Sequence, residues 1–313
     1  ILTALIVIEN CGLDETVTFS NTAVNSLEPN SSILGARAGD TLSVRDCLYA
    51  LLLQSANEVA NALAEHCAGS IDAFAEKMNE KAAELGCTDS HFANPSGLNN
   101  PNHYVSAYDM ALIAKAAFNN PTFVEVDSTT YYDVPAGKLK QYPDGWRYYA
   151  HHRMLRRNDS LYYDGAIGGK TGYTEAAGNT LVTYAKNDNT YLVSVVLQSV
   201  NGAYSDTKAL LDYGFNNFSR TAVKDLPSKI TRHLLPAEKY ILKDYKDDTL
   251  FETRRTASVS LPSGVDTNAL EKTYSITKNP AGLPLLTVTY TYNDHVVGSA
   301  RYYQTRLLSD QLL

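Results

Sequence analysis

Leu42-Ser43-Val44-Arg45-Asp46-Cys47-Leu48-Tyr49-Ala50-Leu51-Leu52-Leu53-Gln54-Ser55-Ala56-Asn57 is the stretch on which the fold turns. Ser43 with Asp46 three residues on is a capping-box start for a helix. Val44, Cys47, Leu48, Leu51 and Leu52 then fall at i, i+3, i+4, i+7 and i+8, one apolar helix face. The spacing continues through Ala56, Val59, Ala60 and Leu63, so periodicity predicts one long helix over about 43–67. Ser55 and Asn57 are the polar intruders. On an unbroken helix such a serine bonds back to a carbonyl one turn earlier. A helix interrupted there would instead present both side chains to a cleft.

Working outward, Ile1 to Glu9 reads as the end of a buried helix closed by Asn10-Cys11-Gly12. Ser70 starts another, with Ile71, Phe74, Met78 and Leu85 on one face and Gly86 as its stop. Asn94-Pro95-Ser96-Gly97 is turn chemistry. Ser106 with Asp109 starts a further helix, ended by Asn119-Asn120-Pro121. Tyr131 to Val134, Leu181 to Ala185 and Tyr191 to Leu197 read as strands, the last two joined by the turn Asn187-Asp188-Asn189. Ser205 to Phe218 is helical and expected to pack on that sheet. Leu226-Pro227-Ser228 interrupts the pattern. Beyond it Val288, Tyr290 and Tyr292 alternate with Thr287, Thr289 and Thr291 before Asn293-Asp294. The expectation is two domains, 1–222 and a smaller β-rich 223–313.

Composition is globular: 44% hydrophobic and 19% charged over 313 residues. The net charge of −7, without any run of like charges, excludes a basic nucleic-acid footprint. Ile1 to Asn10 is too short to cross a bilayer and lacks the flanks of a signal peptide. The chain opens on Ile rather than Met and reads as cut from something longer, so membrane association is expected only through segments absent here. Cys11, Cys47, Cys67 and Cys87 form no zinc spacing. They are expected to be free thiols or one disulfide, and no metal is predicted.

The second decisive stretch is Gly168-Gly169-Lys170-Thr171-Gly172-Tyr173-Thr174, whose lysine lies 115 residues beyond Ser55. In a strand Lys170 and Gly172 share one face and Thr171 takes the other. A glycine beside a lysine lets a ligand approach the backbone, and an extended peptide can add to such an edge. The ammonium and hydroxyl would suit a carboxylate. A solvated edge lysine beside a glycine bulge is the competing reading.

Taken together, these segments resemble the serine-type D-alanyl-D-alanine carboxypeptidases, the low-molecular-mass penicillin-binding proteins, known by Ser-x-x-Lys, Ser-x-Asn and Lys-Thr-Gly motifs. Leu42 to Asn57, Asn94 to Leu98, Tyr104 to Lys115, His151 to Leu155, Gly168 to Thr174 and Ala177 to Val182 carry the resemblance, which covers about 1–220. It implies an α+β penicillin-binding/β-lactamase-like transpeptidase domain, an antiparallel sheet with a helical subdomain, followed by a small all-β domain. It implies Ser55 as a proton-transfer aid, Asn57 on the substrate backbone, and Lys170 and Thr171 on the terminal carboxylate beside Gly172. The N–H of Tyr173, where many relatives carry histidine, would be half of an oxyanion hole. Arg153, with His151 and His152, would support the sheet or the substrate. The implied substrate is a peptidoglycan stem peptide, with β-lactams as inhibitors, no cofactor, and an extracytoplasmic location.

The resemblance also places a nucleophilic serine and its lysine in a Ser-x-x-Lys directly before a segment like Ile1-Leu2-Thr3-Ala4-Leu5. No such motif stands there, and the chain alone is expected to be inactive. Ser205 to Lys208 and Ser275 to Lys278 are Ser-x-x-Lys strings read as chance, because both follow Lys-Thr-Gly. Rival readings are a class A β-lactamase-like hydrolase, disfavoured by the β-rich tail and by the lack of Glu-x-x-x-Asn between the motifs, and a non-catalytic muropeptide-binding or wall-scaffold protein.

Overall fold

Helix caps predicted from serine and acidic pairs organise the first half of the chain. In the computed structural model, which describes residues 1–223, 250–252, 257–279, 282 and 284–305, α1 (Leu2–Asn10) is followed by β1 (Thr16–Thr18), α2 (Asn21–Asn25) and β2 (Thr41–Ser43). Ser43 then caps α3 (Val44–Leu53) with the full reciprocal box: its hydroxyl accepts from the Asp46 N–H and Asp46 accepts from the Ser43 N–H.

The long helix expected over 43–67 is two helices. After α3, Ser55 takes a left-handed backbone conformation at φ 58°, and α4 (Asn57–Ala68) starts afresh. Periodicity does not register the break, because Ala56, Val59, Ala60 and Leu63 re-enter the same core as α3. A single left-handed residue redirects the axis without emptying the apolar face.

Ser70 and Ser106 cap α5 (Ile71–Glu84) and α6 (Ala107–Phe118) as expected. Asn119-Asn120-Pro121 ends α6 but also begins α7 (Pro121–Asp127): Asn120 accepts from two backbone N–H groups, with proline at the first helical position. β3 (Tyr131–Val134) pairs with β4 (Trp146–Tyr149). β5 (Ala166–Thr174), β6 (Gly178–Asn187) and β7 (Thr190–Ser199) form an antiparallel sheet in that order, so β5 is an edge. α8 (Ala203–Asn217) follows.

The described residues fall into two compact units, Ile1–Tyr213 and Gly214–Leu313; the expected division was after residue 222, and its Leu226-Pro227-Ser228 signal lies outside the described residues. The first unit is centred on α1, α3 and α4, whose Leu5, Val7, Leu48 and Leu63 are fully buried. The second has its own core. There β8 (Phe218–Val223) pairs with β10 (Ala257–Pro262), and β11 (Glu271–Lys278), β12 (Pro284–Tyr292), β13 (His295–Thr305) and β9 (Leu250–Glu252) form an antiparallel sheet. Leu286, Val288 and Tyr290 of β12 point into that core while the threonines between them do not. Asn293 and Asp294, both at positive φ, make the hairpin turn to β13. No helix among the described residues is long and apolar enough to cross a membrane.

Candidate active site

The break between α3 and α4 turns Ser55 away from the helix ladder, and its hydroxyl meets the Lys170 ammonium at 2.9 Å. The two motifs of the sequence are therefore in direct contact across 115 residues. Asn57, at the first turn of α4, donates from its side chain to the Ser32 carbonyl at 2.9 Å, and its own N–H donates to the same oxygen at 3.0 Å.

Lys170 comes from the edge strand β5. Its ammonium also donates to the Thr171 carbonyl at 2.7 Å. Enclosure of the ammonium lowers its pKa to about 8, because removal from water disfavours the charged form. The buried Asp127 carboxylate works in the opposite direction and favours the charge. Burial likewise raises Asp127 to about 7, against the Gly169 N–H that it accepts. The paired glycines make this approach feasible. A Cβ on Gly168 would stand 2.6 Å from Asp127 Oδ2, and one on Gly169, whose φ is +153°, would stand 2.6 Å from His152 Nε2. Here the glycine room is filled by the protein's own side chains from beneath.

A cleft of about 620 Å³ lies alongside. Its wall includes Asn57, Thr171, Gly172 and Tyr173, together with Asn30 to Ser32, Ser96 to Leu98, His151 and Tyr204. Asn57 and the Lys-Thr-Gly strand thus share one groove. Ser55 and Lys170 are not themselves on its wall; they join immediately behind Asn57 and Thr171. Tyr173 is 68% exposed at the rim.

Arg153 does not line the groove. It makes a two-pronged ion pair with Asp159 at 2.8 and 2.9 Å, and its N–H donates to the Tyr204 hydroxyl. His151 contributes to the wall. His152 is buried against the Thr183 hydroxyl at 2.9 Å, and burial plus the nearby Lys170 charge lower its pKa to about 4, so it is neutral. Two supports were not read from sequence. Glu58 Oε1 accepts from the N–H groups of Leu34, Gly35 and Ala36 at 2.7, 2.8 and 3.3 Å, fixing the loop that brings Asn30 to Ser32 to the groove. The Thr3 hydroxyl donates to the Pro95 carbonyl at 2.7 Å and ties α1 to the Ser96–Leu98 turn. An acid one residue after Asn57, in a helix whose next turns are apolar, was the available signal for Glu58.

The two remaining Ser-x-x-Lys strings are not paired. Ser205 donates to the carbonyls of Asn201 and Gly202, and Lys208 binds Asp212 at 2.6 Å. Ser275 and Lys278 lie three apart on β11, on opposite faces.

Comparison with known proteins bears on this geometry. The Peptidase S11 family model, described as D-alanyl-D-alanine carboxypeptidase, matches residues 1–201. D-alanyl-D-alanine carboxypeptidase DacB2 of Mycobacterium tuberculosis is 34% identical over 69% of this chain and 72% of that protein. DacF of Bacillus subtilis is 30% identical over 70% of this chain, which spans about half (55%) of that relative's length. The crystal structure of penicillin binding protein 6B from Escherichia coli, at 23% identity, shares the fold with a TM-score of 0.64 over 96% of this chain and 85% of its own. A left-handed helix break that delivers a serine to a lysine on a glycine-flanked edge strand thus stands within matched residues 1–201, and the chain belongs to the Peptidase S11 family of D-alanyl-D-alanine carboxypeptidases.

Proposed function

We propose that this chain forms the substrate groove of a serine D,D-carboxypeptidase that removes the terminal D-alanine from peptidoglycan pentapeptides. The observation that carries the reading is the 2.9 Å contact between Lys170 and Ser55 immediately behind a groove walled by Asn57 and Thr171. An extended stem peptide adds along the free edge of β5 through main-chain hydrogen bonds. The Asn57 side chain faces its backbone, and the Thr171 hydroxyl meets its terminal carboxylate. Lys170 supplies the positive charge from behind Thr171, and Ser55 relays a proton between the ammonium and the leaving amine. The Tyr173 N–H, at the open rim, is suited to the oxyanion that forms on acyl transfer. Gly172 leaves the strand backbone accessible. Arg153, held by Asp159, shapes the turn that carries His151 rather than touching substrate. No step calls for a metal or organic cofactor, and β-lactams, which carry a carboxylate beside a reactive carbonyl, would enter the same groove. Wall peptides place this work outside the cytoplasmic membrane.

Acylation is assigned to a serine paired with its own lysine in a Ser-x-x-Lys segment, a pairing that neither Ser205 nor Ser275 makes. The test joins such a segment ahead of Ile1. That polypeptide is expected to release free D-alanine from diacetyl-L-lysyl-D-alanyl-D-alanine and to form a penicillin adduct on the added serine, while residues 1–313 alone do neither. An adduct on Ser205, Ser275 or Ser55, read by peptide mass mapping, contradicts the assignment; on Ser55 it would make Lys170 the base.

A further inference from the structure

Two short segments with no zinc-like spacing in sequence meet where α1 and α4 end. Cys11 is the C-cap of α1 and Glu15 follows just beyond it; His66 and Cys67 lie in the last turn of α4. One ligand atom each from Cys11, Glu15 and His66 lies within 4.8 Å of the other two. The Cys67 thiol neighbours that of Cys11, and both are free, half-buried thiols. Glu15 is held in place, with Oε1 accepting the Gly12 N–H at 2.7 Å and Oε2 meeting His66 Nε2 at 2.8 Å.

We infer that Cys11, Cys67, His66 and Glu15 form a site for one zinc-class divalent cation. Two sulfurs, one imidazole nitrogen and one carboxylate oxygen are a donor set that zinc accepts in tetrahedral geometry. Bonds of about 2.0–2.3 Å put such ligand atoms about 3.3–3.8 Å apart. Cys67 stands outside that group of three, so rotation of the Cys67 side chain together with those of Glu15 and His66 closes the difference. Binding exchanges the two S–H bonds for two S–metal bonds and sends both protons to solvent, with no change of oxidation state. The site stands toward the far end of α4 from Asn57, about 14–15 Å away at the helical rise, so it fixes α1 against α4 rather than taking part in acyl transfer.

The test uses the reduced chain 1–313 titrated with Co²⁺. One equivalent is expected to raise a thiolate-to-cobalt charge-transfer band, which Zn²⁺ displaces, with two protons released per ion. Cys11→Ser and Cys67→Ser are expected to weaken binding about tenfold or more. His66→Ala and Glu15→Gln, which alter side chains near solvent and spare the core, weaken it too, and Cys87→Ser leaves it unchanged. No band in the folded, reduced chain overturns the inference. So does a band that survives all four substitutions, or a Cys11–Cys67 disulfide formed in air in the presence of excess Zn²⁺.

Discussion

Lys170 stands behind the groove wall, joined to Ser55, and in the proposed function its charge serves the groove from there. Its ammonium carries three donors, two of which are engaged by Ser55 and Thr171. With its pKa lowered to about 8 by enclosure, the protonated form that attracts an anion is complete well below that pH. Affinity for a carboxylate-ended peptide is therefore expected to fall as pH rises through about 8, measured by calorimetry across pH 6–10. Asp127 favours the ammonium. Asp127→Asn removes that support, so the alkaline fall should move to lower pH, and an unmoved profile would dissociate Asp127 from Lys170. Glu58 belongs to the same scale. Removing one buried acceptor of three N–H groups leaves donors unsatisfied, and Glu58→Ala is expected to cost about 2–4 kcal/mol in denaturant unfolding.

At the scale of elements, caps were legible and the break was not. Ser43, Ser70 and Ser106 each accept from the backbone N–H three residues on, as their spacing predicts. Ser106→Ala is expected to cost about 1 kcal/mol of stability while leaving peptide affinity within about twofold, since its helix does not reach the groove; urea unfolding beside a ligand titration checks both. The α3–α4 interruption leaves no mark in the apolar period, because both helices feed one core. Only Ser55 and Asn57, polar on an apolar face, betray it. α7 was hidden for another reason: Asn120-Pro121 reads equally as a helix stop and as a helix start. The strand around Lys170 was legible because glycines on both sides mark a special backbone. That Asp127 and His152 occupy the glycine space was not, since those contacts join distant parts of the chain. That Cys11, Glu15 and His66 converge was illegible for the same reason.

At the scale of the whole molecule, each unit buries its own apolar core, and every residue named on the groove lies in the first. A chain ended after Asn217 is therefore expected to bind stem peptide within about threefold of the full chain, because separate cores permit separate folding. Loss of binding in a truncated chain that still unfolds cooperatively would assign the second unit a part in recognition. The central claim, that this groove holds the anionic end of a wall peptide through the charge of Lys170, is tested most directly by titrating diacetyl-L-lysyl-D-alanyl-D-alanine and its C-terminal amide into residues 1–313. The free acid is expected to bind about tenfold or more tightly than the amide, as a charge-assisted contact allows, and Lys170→Met is expected to erase that preference. Equal affinity for acid and amide, or a preference that persists in Lys170→Met, would contradict it.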